Sequence, residues 1–101
     1  MPMRSEAEFR SSHSRAYFDR LTRHFSHKIP VAVDGDRAEL RFSCGLAEIH
    51  VDGSSLLFLV RSESASDRKE TCAVLSDHMR RFAWREDKSD LVWTDLDGIA
   101  G

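Results

Sequence analysis

A chain of 101 residues, 41% apolar and 32% charged, is long enough for one hydrophobic core and too short for two. Its 15 basic and 17 acidic side chains leave a net charge of −2, which excludes the large charge imbalance of a disordered chain. Lys and Arg are interleaved with Asp and Glu instead of forming a basic stripe, so nucleic acid is not the expected partner.

No run of about 18 apolar residues is present to span a membrane. The stretch from Met1 to Phe9 lacks the apolar run of a secretory signal. Cys44 and Cys72 sit in unlike contexts and are too few for a disulfide scaffold, so both are read as reduced thiols of a cytoplasmic protein. The whole of residues 1–101 is taken as a single domain, with residues 1–5 and 95–101 expected to fray.

Ala7 and Phe9 alternate with Glu6, Glu8 and Arg10, which predicts a short strand. Ser11-Ser12-His13-Ser14 then supplies N-cap hydroxyls. Tyr17, Phe18, Leu21 and Phe25 recur on one helical stripe. Pro30 disfavours helix at Ile29, so this first helix ends near Ser26.

Two Asp-Gly pairs follow, Asp34-Gly35 and Asp52-Gly53, each between strand-like segments. Taken as two-residue turns, they set Val31 opposite Ala38 and Ile49 opposite Leu56. A four-residue turn at Ser43-Cys44-Gly45-Leu46 would set Phe42 opposite Ala47, Leu40 opposite Ile49 and Arg41 across from Glu48. One sheet face then carries Val31, Ala38, Leu40, Phe42, Ala47, Ile49, Val51, Leu56 and Phe58. The other carries Arg37, Glu39, Arg41, Glu48 and His50, the alternation of an antiparallel sheet with one covered face.

Leu56-Leu57-Phe58-Leu59-Val60 breaks that alternation. Leu57 and Leu59, with Leu46 nearby, form an apolar island on the charged face. Either the C-terminal segment folds back and lays Trp93 over the island, or the island is an interface for a homodimer or another partner.

Ser64-Ala65-Ser66-Asp67 caps a second helix whose Cys72, Leu75, Met79 and Phe82 form its apolar stripe. Phe25, Leu40, Ile49, Phe58, Leu75 and Phe82 are all expected in one core. Leu91-Val92-Trp93-Thr94 reads as a last short strand. The expected fold is α+β: a two-layer arrangement with an antiparallel sheet of four or five strands and two helices packed on one face.

Two local runs stand on this order of elements, His24-Phe25-Ser26-His27-Lys28-Ile29-Pro30-Val31 and Arg80-Arg81-Phe82-Ala83-Trp84-Arg85-Glu86. With Asp34-Gly35-Asp36 they make the chain resemble the bacterial DUF2218 family, over residues 5 to 94. Ser26 departs from the family's preference for Gly, which implies a less relaxed turn at the helix end. The resemblance implies a small bacterial domain of unknown activity, with some members neighbouring siderophore-utilisation proteins.

The residues themselves offer three sites. His24 and His27, at i and i+3, share a helix face in the manner of metal ligands, with His78, Cys72 or Glu86 as candidates for the third donor. None of the three stands at a recognisable ligand spacing, so no metal and no cofactor is assigned. His27, Lys28, Arg81, Arg85 and Glu86 would form an anion or partner contact if the helix ends meet. The alternative there is an Arg–Glu network that anchors the tail. Leu46, Leu57 and Leu59 are the third site, as an interface.

There is no Gly-x-Ser-x-Gly elbow and no phosphate-cradling glycine loop, so no catalytic residue is assigned. The chain reads as a non-catalytic binding or accessory module for an unidentified protein or small molecule. The alternative is a metal- or iron-linked site on His24 and His27.

Overall fold

The computed structural model describes residues 2–88 and 90–96. Its elements in chain order are β1 (Met3–Arg10), α1 (Ser14–Ser26), β2 (Val31–Asp34), β3 (Arg37–Phe42), β4 (Gly45–Asp52), β5 (Ser55–Ser62), α2 (Ala65–Phe82) and β6 (Thr94–Asp95). The strands form one sheet in the order β2-β3-β4-β5-β1-β6, with every pairing antiparallel. Among the described residues the sheet thus has six strands, more than the four or five expected. The addition comes from β1, which pairs along its whole length with β5, and from the two-residue β6 beside it. Fraying expected at the N-terminus gives way to a strand from Met3 onward. Most of the tail expected to fray, residues 97–101, lies outside the described residues.

Both helices lie on the same face. α1 packs across β2, β3, β4 and β5, and α2 across β4, β5 and β1. Between them and the sheet is the core, in which Phe18, Leu21, Leu40, Ile49, Leu56, Phe58, Leu75 and Met79 are fully buried. Burial of each such side chain is worth about 1.5–3 kcal/mol, and this layer is the main source of stability.

α2 begins at Ser64, whose hydroxyl accepts from the Asp67 amide at 3.1 Å. α1 ends without a left-handed residue: His27 keeps helical angles, and Lys28 and Ile29 each donate to the Phe25 carbonyl at 2.9 Å. Ser26 therefore sits inside regular helix, where the lack of a glycine costs nothing.

Three register expectations are corrected. Val31 pairs with Leu40, not Ala38; Ile49 with Phe58, not Leu56; and Phe42 with Gly45, not Ala47. Leu40 is opposite Ala47 rather than Ile49, and Arg41 is across from Leu46 rather than Glu48. The β3–β4 connection is the two-residue Ser43-Cys44 instead of a four-residue turn; in the other two the cause is turn chemistry. Gly35 (φ 63°) and Gly53 (φ 61°) occupy the first central position of their turns, followed by Asp36 and Ser54 at negative φ. Positive φ at the first position alone is the II′ pattern of Gly-Asp and Gly-Ser, one residue later than an Asp-Gly turn. Each shift moves a partner by two residues, so face assignments survive.

Of the six residues expected in the core, Phe25, Leu40, Ile49, Phe58 and Leu75 are buried, but Phe82 is only half-buried. It lies at the edge of the α2 stripe facing α1, beneath the Arg20 guanidinium at 4.4 Å. Ala83 takes the buried place in the next turn.

Candidate binding face

The sheet face opposite the helices carries every second residue of each strand, and the pairings arrange them in transverse rows. One row reads Ala32, Glu39, Glu48, Leu59, Glu6 and Thr94 across the six strands. The next reads Asp34, Arg37, His50, Leu57 and Glu8. A third row, at the other end, reads Arg41, Leu46, Arg61 and Arg4.

The first two rows line a hollow of about 830 Å³, within the range of ligand sites. Leu57 and Leu59 are half-buried in its floor, and Val92, 79% exposed, stands at its lip. Five carboxylates line it, Glu6, Glu8, Asp34, Glu39 and Glu48, against Arg37 and His50.

Glu39 and Glu48 are direct cross-strand neighbours. Like charges so placed, with Cβ atoms about 4.5–5.5 Å apart, destabilise a sheet. Glu39 is relieved by Arg41 at 2.9 Å, and Glu8 by Arg10 at 3.3 Å. The Ser55 hydroxyl, donating to Glu8 at 2.6 Å, is the main cause holding that carboxyl below its ordinary range. Glu6, Asp34 and Glu48 make no side-chain hydrogen bond or ion pair among the described residues.

Trp93 does not cover the island. Its indole Nε1 donates to Ser76 Oγ of α2 at 2.8 Å, and its ring meets Phe58 edge-on at 6.1 Å, both on the helix side of the sheet. The cause is the placement of β6: Thr94 pairs with Glu6 at the sheet edge, which turns the preceding Trp93 towards α2. The last strand accordingly starts at Thr94 and not at Leu91.

The helix-end residues expected to converge divide into two groups. Glu86 accepts from the Tyr17 hydroxyl at 2.7 Å and the Ser11 hydroxyl at 3.0 Å, so it ties the tail to the start of α1 without an arginine. Burial first, and then this bond, push the Tyr17 phenol up to about 12. Arg85 stacks on the exposed Trp84 at 4.8 Å. Arg81, Lys28 and His27 instead act on His24, near enough for their charges to disfavour its protonated form.

The ring neighbour of His24 is His78, with centroids 4.8 Å apart, and Phe25 and Phe82 complete its surroundings. His24 Nε2 is buried with no hydrogen-bond partner among the described residues. His78 Nδ1 is 2.7 Å from the Val74 carbonyl, which requires that nitrogen to carry the proton. His27 is exposed. No three His, Cys, Asp or Glu side chains converge among the described residues. Cys44 Sγ lies 3.1 Å from the buried Thr71 hydroxyl oxygen, and burial raises the Cys72 thiol to about 11. No described helix is long and apolar enough to cross a membrane.

The His24 environment has a consequence in solution. Burial, then the nearby His78, Lys28, Arg81 and His27, hold the His24 imidazole below its ordinary value. The unfolded chain takes up this proton near pH 6.5, and the folded chain takes it up only at lower pH. Stability is therefore complete above about pH 6.5 and falls as the pH drops towards the folded value. His24→Phe should flatten that fall between pH 7 and 5 in thermal melts. An unchanged slope would show that His24 is not the titrating group.

Glu6 and Glu8 were the members of the acidic rim hardest to foresee. Their alternation with Ala7 and Phe9 is legible, but the contact of β1 with β5 joins segments about half the chain apart. Comparison with known proteins gives the fold and the family. The NMR structure of PA4090 from Pseudomonas aeruginosa superposes with a TM-score of 0.75, covering 91% of this chain and 95% of that one at 24% identity. That likeness is one of fold. No curated protein matches. The model of the family DUF2218, described as an uncharacterized protein conserved in bacteria, matches residues 6–94, and the chain belongs to that family.

Proposed function

We propose that the protein is a non-catalytic interaction module whose open sheet face docks a partner. The observation that carries this is the half-buried Leu57–Leu59 pair on the floor of a charged hollow, with no described segment over it. An apolar centre ringed by charge is the usual anatomy of a protein interface. The cytoplasm is the setting in which the free thiols Cys44 and Cys72 stay reduced. A link to siderophore utilisation, as the family resemblance implies, would make this chain an accessory to those proteins. The carboxylate rim would repel an anionic ferric complex.

The test is site-specific photo-crosslinking in a bacterial host. A photoreactive residue at His50, inside the hollow, should give a discrete adduct, while one at Arg23 on the exposed side of α1 should not. Leu57→Ser with Leu59→Ser should abolish the adduct and leave the melting of the chain nearly unchanged. No adduct, or equal labelling from both positions, would overturn the reading.

A further inference from the structure

The distribution of charge and shape on this face says what kind of partner it takes. The inference rests on the reading of the face as a docking surface. Leu57 and Leu59 follow one another along β5, about 7 Å apart. One strand to one side, about 4.8 Å away, Glu6 pairs with Leu59 and Glu8 with Leu57. One strand to the other side, Glu48 pairs with Leu59, and Glu39 lies beyond it. The floor is thus a short apolar stripe with carboxylates on both flanks of Leu59 and on the β1 flank of Leu57, where His50 is the β4 neighbour.

A second copy of the chain fits this poorly. Its own face is equally hollow, and two concave surfaces do not fill one another. Nucleic acid would meet the acidic rows. The complementary object is convex, with a narrow apolar stripe and cationic edges. An α-helix about 10–12 Å across has that form, and its i and i+4 side chains rise about 6 Å, close to the leucine spacing. Lysine or arginine stems on either edge can lie along the flanks with their charges over the acids.

We propose that the open face docks a basic amphipathic helix of a partner protein, its apolar stripe on Leu57 and Leu59 and its cations on Glu6, Glu39 and Glu48. Direct apposition of Glu39 and Glu48, unfavourable in the free chain, is the arrangement that a bridging cation relieves. Recognition of this kind uses a groove for the apolar anchors and charge for selectivity.

The experiment is fluorescence anisotropy with the full chain and a labelled 18-residue synthetic helix bearing leucines at i, i+4, i+7 and i+11 flanked by lysines. Three controls accompany it: the same leucines flanked by glutamates, the lysine peptide with a central proline, and spermine as a competitor. Saturable binding of the lysine helix, weakened by added salt, is expected. Glu6→Gln with Glu48→Gln should weaken it about tenfold without lowering the melt of the chain, since neither carboxylate has a hydrogen bond or ion pair to lose among the described residues and Glu48 faces Glu39.

Absence of binding by the lysine helix overturns the proposal, as does equal binding of the glutamate or proline peptide. Displacement by spermine at equal charge concentration would also overturn it, because the apolar stripe would then be idle. Sedimentation showing a dimer lost on Leu59→Ser assigns the face to a second copy and overturns it too. A discrete crosslink from His50 combined with a failed peptide experiment would leave the face a docking surface and remove only the helix.

Discussion

Phe58→Ala should destabilise the protein by about 3–5 kcal/mol in urea melts, among the largest losses any single truncation can produce here. Phe58 is 1% exposed and lies on β5, near the middle of the sheet. Ile49 of β4 and Ala7 of β1 flank it across the pairings, and Trp93 meets its ring edge-on. The alanine variant empties a space walled by two strands whose backbones cannot close on it, so the cavity term adds to the lost transfer energy. Trp93 supplies an independent readout, because its near-UV signal depends on the ring beside it. Phe82→Ala should cost distinctly less, since that ring is half-buried and partly covered by the flexible Arg20 side chain. A Phe58→Ala loss below about 1 kcal/mol would place the core elsewhere.

The two layers, both helices and the covered face were legible from periodicity alone. Phe18, Leu21 and Phe25 lie inside α1, and Leu40, Ile49 and Phe58 are buried on their strands. Register was not legible, because Asp-Gly-Asp and Asp-Gly-Ser each offer two ways to place a two-residue turn. Choosing the wrong one slides a strand by two residues and leaves the hydrophobic pattern satisfied. Pattern therefore fixes faces far better than partners. The like-charge pair Glu39–Glu48 has a different origin: the β3–β4 connection is the two-residue Ser43-Cys44 and not a four-residue turn, which brings Glu39 and not Arg41 opposite Glu48.

The site was half legible for a different reason. Leu57 and Leu59 were conspicuous because they broke an alternation, and that is a local signal. Their surroundings depend on which distant strand lies alongside, and β1 is more than 40 residues away in the chain. Trp93 was misplaced on the same account. A two-residue pairing at the sheet edge decides which face its side chain takes, and nothing in Leu91-Val92-Trp93-Thr94 announces it. Tyr17 and Glu86 show the converse case. An Arg–Glu network was the natural guess from an arginine-rich run, yet the carboxylate is satisfied by two hydroxyls.

Gly45→Ala should be the most damaging small-to-large change, although it adds only a methyl group. Gly45 opens β4 opposite Phe42, at negative φ, so backbone conformation does not require glycine there. Space does. A Cβ would collide with Ser62 Oγ and come within 2.7 Å of Thr71 Oγ1 and 2.9 Å of the Arg61 carbonyl oxygen. Ser62 and Thr71 are both buried, and their hydroxyls are committed: Ser62 donates to the Cys44 carbonyl at 2.8 Å, and Thr71 to the Asp67 carbonyl at 2.8 Å. Displacing them strands polar groups in the core, at about 1–3 kcal/mol each. The Arg61 carbonyl belongs to β5 and moves only if β4 and β5 part, which brings a further overpacking cost of about 1–3 kcal/mol. The total expected loss is about 3–9 kcal/mol, against a typical reserve of about 5–15 kcal/mol for a whole domain. Ser62→Ala removes the closest obstacle. In that background Gly45→Ala should cost measurably less, by more than about 0.5 kcal/mol in a double-mutant cycle. Full additivity of the two changes would mean that crowding against Ser62 is not the reason for glycine at this position. An unchanged melt for Gly45→Ala alone would contradict the close approach of α2 to the β4–β5 pair.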